Sequence, residues 1–256
     1  MSTRTTAVLR SAFADAAARR SAFWTQIAAM IVNDVAWVAF WLIFFNRVSS
    51  VRGWDADRVL LLFAVLTTSA GLVLGLLSNC RRIPTLVEDG SLDEVLALPV
   101  APLPHLLVRR VDTVNLGDVA FGVVLFAVSG HPTGQRLLVF VAGSLASAVL
   151  LTGFLVLTGS LVFVNGGGRA GDLGLHSVLL LASYPADVFT GATKALLYTA
   201  VPAAFVSAVP ARLIDDFTVS DALMLLGAAC LFATLGWAAF TAGLRRYTSG
   251  SSWGRG

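Results

Sequence analysis

Apolar residues run along this chain in blocks of roughly 20, separated by short stretches that collect Arg, Pro, Gly and Asp. About 20 residues is the length an α-helix needs to cross a hydrocarbon core about 30 Å thick. Five blocks are plain: Thr25 to Phe45, Val59 to Asn79, Leu106 to Ser129, Leu137 to Val164 and Ala222 to Leu244. The sixth region, Gly171 to Asp215, is apolar but interrupted by Pro185, Lys194, Pro202 and Pro210. Its pattern predicts a short lateral helix near Leu173 to Ser183, then a span from about Phe189 to Val209. The strict alternation of a transmembrane β-barrel strand is missing. The predicted fold class is therefore all-α: a polytopic membrane protein with six transmembrane helices, in one membrane domain over residues 1–256.

Composition agrees with that reading. Hydrophobic residues make up 57% of the chain and charged ones only 13%, with a mean hydropathy of +0.81, far from the balance of a soluble domain. The net charge of +3 speaks for orientation rather than for nucleic acid as a partner, because basic residues collect on the cytoplasmic side of a membrane. With the N-terminus inside, Arg4, Arg10, Arg19, Arg20, Arg81, Arg82, Arg109, Arg110, Arg169, Lys194, Arg245, Arg246 and Arg255 fall inside, and Arg47, Arg52, Arg58, Arg136 and Arg212 outside. That bias predicts both termini in the cytoplasm, whereas an odd number of spans would strand one arginine pair. Residues 1–22 lack the continuous apolar core of a signal peptide. Leu9, Ala12, Phe13 and Ala16 share one helical side instead, the pattern of an interfacial helix lying on the bilayer. Cys80 and Cys230 stand alone and read as packing residues.

The longest polar connection, residues 80–105, carries the richest local signals. Gly90 suits a left-handed helix stop, and Ser91 with Glu94 has the spacing of a capping box that starts the next helix. Leu92, Val95 and Leu96 then form one apolar face, up to Pro99. Glu88, Asp89, Asp93 and Glu94 surround that helix on the side where anionic headgroups repel them. Two readings stay open: an acidic helix docked on a basic partner, or a solvated loop joining two spans.

Taken in order, Gly90-x-Leu92-Asp93-x-x-Leu96-x-x-Pro99 with Pro102 and Leu103, Tyr184-Pro185 with Phe189, Pro202 and Pro210, and Trp237 with Arg246-Tyr247-x-Ser249 resemble the membrane subunits of ABC-2-type exporters, in the six-span bacterial branch. The resemblance implies a type V exporter-like architecture with an N-terminal interfacial helix and a cytoplasmic coupling helix between spans two and three. It also implies a short re-entrant element near residues 210–220. By position the coupling residues are Glu88, Asp89, Gly90, Ser91, Leu92, Asp93, Glu94 and Leu96. Implied partners are an ABC ATP-binding subunit in two copies and a second membrane subunit, identical or homologous, in the bacterial cytoplasmic membrane. The Asn165-Gly166-Gly167-Gly168 run departs from the pattern and has no assigned role.

A P-loop needs a Gly-Lys-Ser/Thr corner around the phosphates, and the one lysine, Lys194, sits in Thr193-Lys194-Ala195. The chain thus carries no ATP site: it is expected to be no enzyme by itself and to bind no cofactor or metal, with ATP and magnesium on the partner subunit. No Ser/His pair or His-Glu-x-x-His helix supports other catalysis. His105, His131 and His176 stand apart and read as loop or interface positions.

Charges inside spans are costly and face a partner or a water-filled cavity. Asp34, after Asn33, lies inside the first span. Asp112, Asn115 and Asp118 recur every third residue, close after Arg109 and Arg110. Asp34, Asn115 and Asp118 either line a translocation path, or the acids pair with arginines such as Arg109 and Arg110 to fix helix register. Gly71 and Gly75 make a small-xxx-small pair suited to internal packing or to a dimer interface. The functional expectation is an exporter permease for an amphipathic or hydrophobic substrate. The alternative is an ion-coupled secondary transporter or channel, whose paired broken helices are absent outside the Pro185 to Pro210 region.

Overall fold

The computed structural model describes residues 20–129, 132–165 and 169–247. His131, the glycines at 166–168 and nearly all of the expected interfacial helix lie outside them. Among the described residues four helices are long and apolar enough to cross a membrane: α1 (Arg20–Phe45), α2 (Ala56–Leu76), α7 (Gly134–Gly159, continued by the single turn α8, Val162–Asn165) and α12 (Val219–Leu244). Two shorter apolar helices, α6 (Leu116–Val128) and α9 (Arg169–Ala182), pack beside them. The all-α class holds, with one isolated bridge, Val51 to Trp54, as the β pairing among the described residues.

Helix α2 is the axis of the bundle. Its apolar window is 89% buried, against 6% for α1 at the periphery. Lipid tails are as apolar as leucine, so helices in a bilayer associate through close packing and need small residues where they touch. Gly71 and Gly75 do this against α6: a Cβ on Gly71 would lie 2.8 Å from the Val119 nitrogen, and one on Gly75 2.6 Å from Leu116. Gly122 answers from α6 against Ala64 and Thr68. The small-residue pair therefore serves internal packing. A second crossing joins α7 to α12, where Gly153 meets the backbone of Phe232 and Ala233, and Gly236 meets Gly153 in return.

The region after residue 182 departs from the sequence expectation. No single helix forms over Phe189 to Val209. The chain makes a short 3-10 turn (Ala186–Val188), the helix α10 (Gly191–Tyr198), a π-helical turn (Ala204–Ala208) and α11 (Val209–Asp215). Pro210 supplies the reason for the widened turn: its ring displaces the carbonyl four residues back and it offers no N–H. Helix α9 is not lateral but lies along α7. Gly174 sits against Thr158 near the C-terminal end of α7, and at the C-terminal end of α9 the Ala182 carbonyl accepts from Ser207 at 2.6 Å, beside the Phe205 carbonyl that Ser147 of α7 reaches. Backbone groups loosened by these breaks find buried partners, as a bilayer interior demands. Ser147 Oγ donates to the Phe205 carbonyl at 2.9 Å, and Trp41 Nε1 to the Ser183 carbonyl at 3.2 Å.

At the opposite end of α2 the connector folds back on the bundle as a 3-10 turn (Ser78–Arg82), α3 (Ile83–Glu88), α4 (Leu92–Leu96) and α5 (Pro102–Val108). Asn79 Nδ2 donates to the Leu106 carbonyl and Ser78 Oγ to the Arg110 carbonyl, both at 2.9 Å. Residues 109–115 are not helical and α6 starts only at Leu116, so the expected third span is shortened.

Candidate functional site

A cavity of about 610 Å³ opens between α1, α2, the start of α6 and α9. Asn33 and Asp34 come to it from α1, Thr67 from α2, Asn115 and Asp118 from the start of α6, and Asp172 and His176 from α9. Leu175, Leu179, Phe63 and Trp37 complete the wall. Each of the four elements around the cavity thus contributes a polar group to an otherwise apolar wall. Asn33 Nδ2 donates to Asp34 Oδ1 at 3.3 Å, while Asp34 Oδ2 and Asp118 Oδ1 are buried without a hydrogen-bond partner. A buried, unpaired carboxylate oxygen is costly, so these two atoms favour a hydrogen-bond donor beside them. Among the described residues no set of three acidic, His or Cys side chains is arranged as a metal site.

Three of the sequence candidates, Asp34, Asn115 and Asp118, thus meet in one place. Arg109 and Arg110 do not join them. Arg109 pairs with Glu94 at 2.7 Å, and Asp112 caps its own turn by accepting from the Val114 N–H at 3.2 Å. The cause is the helix break: with 109–115 unwound, the three-residue periodicity from Asp112 to Asp118 no longer defines a common face. Sequence reading missed Asp172 and His176 as cavity residues. Their i, i+4 spacing, continued by Leu179, Leu180 and Ser183, was the available signal, obscured by treating the region as lateral.

On the connector, Gly90 has φ +76° and closes α3 as expected. The capping box does not form. Ser91 has helical backbone angles and makes no side-chain cap, and its N–H is taken by Asp89 Oδ1 at 2.9 Å, while Glu94 turns to Arg109. Leu92 and Val95 are fully buried against the bundle, but Leu96 points away, 38% exposed. Leu96, Leu98 (44%) and Val100 (45%) stand out beside the exposed Glu88, Asp89 and Glu94. The outward face of the connector is thus an apolar strip edged with negative charge.

A third polar cluster lies at the other end of the bundle. Asp187 accepts from Lys194 Nζ at 2.8 Å, Arg212 at 3.0 Å and Trp54 Nε1 at 3.1 Å, and Arg52 donates to its carbonyl at 3.0 Å. Burial alone would raise the Asp187 carboxyl, but hydrogen bonds from Lys194 and Trp54 and the charge of Arg212 hold it below its ordinary value. Asp215 bridges Arg58 at 2.7 Å and Arg136 at 3.5 Å. Between them the two aspartates tie the 186–216 segment to the first turns of α2 and α7.

Cys80 is buried as expected, with its thiol pushed up to about 12 by that burial. Cys230 is exposed on α12 rather than packed inside.

Compared with known proteins, residues 31–251 match the family model described as ABC-2 family transporter protein. No curated protein and no solved structure matches the chain.

Proposed function

We propose, since the chain belongs to the ABC-2 family of transporter proteins, that it is the transmembrane permease subunit of an ATP-driven exporter. ATP would be hydrolysed by a separate nucleotide-binding subunit, present in two copies beside a second membrane subunit. The observation that carries this reading is the outward face of the connector. Exposed Leu96 and Leu98 flanked by Glu88, Asp89 and Glu94 suit a basic, apolar-floored groove on a soluble partner. Leu92 and Val95, buried beneath α4, would pass force from that partner through α5 and the 3-10 turn into α2.

In this reading α1, α2, α6, α7, α9 and α12 are the six spans, and both termini are cytoplasmic. The segment from α10 to α11 is a re-entrant element at the outer surface. Lys194 then moves to the outer group, leaving twelve basic residues inside and six outside, still the bias the positive-inside rule demands. The cavity holding Asp34 and Asp118 is the inner part of the substrate path for an amphipathic molecule.

Co-purification with the ATP-binding subunit, followed by transport in proteoliposomes with and without ATP, tests the whole reading. Leu96→Asp with Leu98→Asp is expected to lower ATPase capture at least about tenfold, a loss on the order of 1.4 kcal/mol. The melting temperature should stay unchanged, because both side chains face outward. Transport without ATP, or full capture by the double variant, would overturn the proposal. Asp34→Asn and Asp118→Asn are expected to cut export about tenfold by removing a charge-assisted contact. Normal export with a lowered melting temperature would instead make them structural.

A further inference from the structure

A second, smaller cavity of about 330 Å³ lies beneath α4, between the end of α2 and α5, lined by Asn79, Arg82, Glu94, Arg109 and Arg110 among others. Its charge does not balance. Three guanidiniums face one carboxylate, and Glu94 is engaged with Arg109. Neither Arg82 nor Arg110 makes an ion pair among the described residues. Burial, then the guanidinium of Arg110, press Arg82 below its ordinary value, with Asp89 offsetting in part and Arg81 adding to the pressure. Asn79 brings a different demand. It is only 4% exposed; its Nδ2 donates to the Leu106 carbonyl, and its Oδ1 has no donor. The cavity therefore asks for a ligand with an anionic acceptor for the arginines and a hydroxyl-type donor for Asn79.

The surroundings set its nature. The cavity opens directly after the last turn of α2, where a helix of membrane-spanning length and apolarity gives way to polar residues. The other side of α5 borders an apolar groove of about 620 Å³, lined by Leu72, Leu76, Leu103, Leu107 and Trp237 among others, with almost no polar surface. Leu106 faces the basic cavity, and Leu103 and Leu107 face the groove. A headgroup and a tail thus find matching environments on the two sides of one short helix.

We propose that this site binds the headgroup of an anionic, hydroxyl-bearing glycerophospholipid, its phosphate between Arg82 and Arg110 and a headgroup hydroxyl donating to Asn79 Oδ1. The phosphate also competes with Glu94 for Arg109, so the bound lipid loosens α4 from its tether. This inference concerns a lipid site and stands independently of the transport reading.

The test is native mass spectrometry of the full chain released from nanodiscs made of phosphatidylcholine with phosphatidylglycerol, read against its thermal stability. One phosphatidylglycerol per chain should be retained over phosphatidylcholine. Arg82→Gln with Arg110→Gln should lower that occupancy about tenfold, as the loss of charge-assisted contacts implies, while Arg82→Lys with Arg110→Lys keeps most of it. Arg110→Gln alone, at an exposed position, gives the same reading should the double variant fail to fold. Phosphatidylmethanol has the charge but not the hydroxyls and should bind more weakly. Equal retention of phosphatidylcholine and phosphatidylglycerol overturns the proposal, as does undiminished binding in the variants or displacement by millimolar inorganic phosphate. Equal binding of phosphatidylmethanol overturns the role of Asn79. Loss of ATPase capture in the variants without any retained lipid would reassign the arginines to protein docking.

Discussion

Asp187→Asn is expected to destabilise the protein by about 2–3 kcal/mol, because it leaves the partly buried Arg212 without its counter-charge and weakens three hydrogen bonds at once. Asp187 accepts from Lys194, Arg212 and Trp54, with its own side chain 19% exposed. Lys194→Gln removes only the more solvated of the two ion pairs and should cost under about 1 kcal/mol. The pH dependence has a definite sign. A carboxyl held below its unfolded value contributes stability that is complete above about pH 4 and is lost as pH falls through the folded value. The gap between wild type and Asp187→Asn should therefore be flat from neutral pH down to about 5 and close at lower pH. Melting curves in detergent across that range measure it. A gap that is absent at pH 7, or that widens on acidification, would show that the cluster does not hold the 186–216 segment.

The largest single effect is expected at the crossing of α7 and α12. Gly153→Val places a branched side chain where even a Cβ would lie 2.5 Å from the Ala233 nitrogen and closer to the Phe232 backbone. Backbone cannot move aside as a side-chain tip can, so the helices must separate and lose the reciprocal contact at Gly236 as well. The cost is about 3 kcal/mol or more, read as loss of monodisperse protein or a collapse in melting temperature. Gly227, on the same α12, has open space around its would-be Cβ. Gly227→Ala should be neutral or stabilising by up to about 1 kcal/mol, since alanine is the better helix former. Equal tolerance at both glycines would mean that α7 and α12 do not cross there.

How far the chain could be read in advance depended on what each signal encodes. The four long helices were legible because a block of about 20 apolar residues has few other uses. Gly71 and Gly75 announced close packing but not the partner, since spacing is silent on which helix comes near. Asp34 and Asp118 stood out because charge is rare in such blocks, and the cavity they share needed the fold. The failures have a common root in broken backbone. Unwinding at 109–115 separated Arg109 from Asp118. The π turn before Pro210 replaced the expected span over 189–209, and recasting α9 as a helix along α7 brought Asp172 and His176 into view. At Ser91 and Glu94, two longer-range or competing bonds, to Asp89 and Arg109, displaced a local motif.

The interlocked glycines of α2 and α6 limit how this membrane domain can deform. Rotation of α2 about its own axis would drive Gly71 and Gly75 off the stretch of α6 they fit against, so a tilt would carry the two helices together, as a lever. One arm of that lever carries the connector through Asn79 and Ser78, and the other carries the 186–216 segment through Arg58 and Asp215. A tilt of the α2–α6 pair would therefore displace both polar ends of the bundle together.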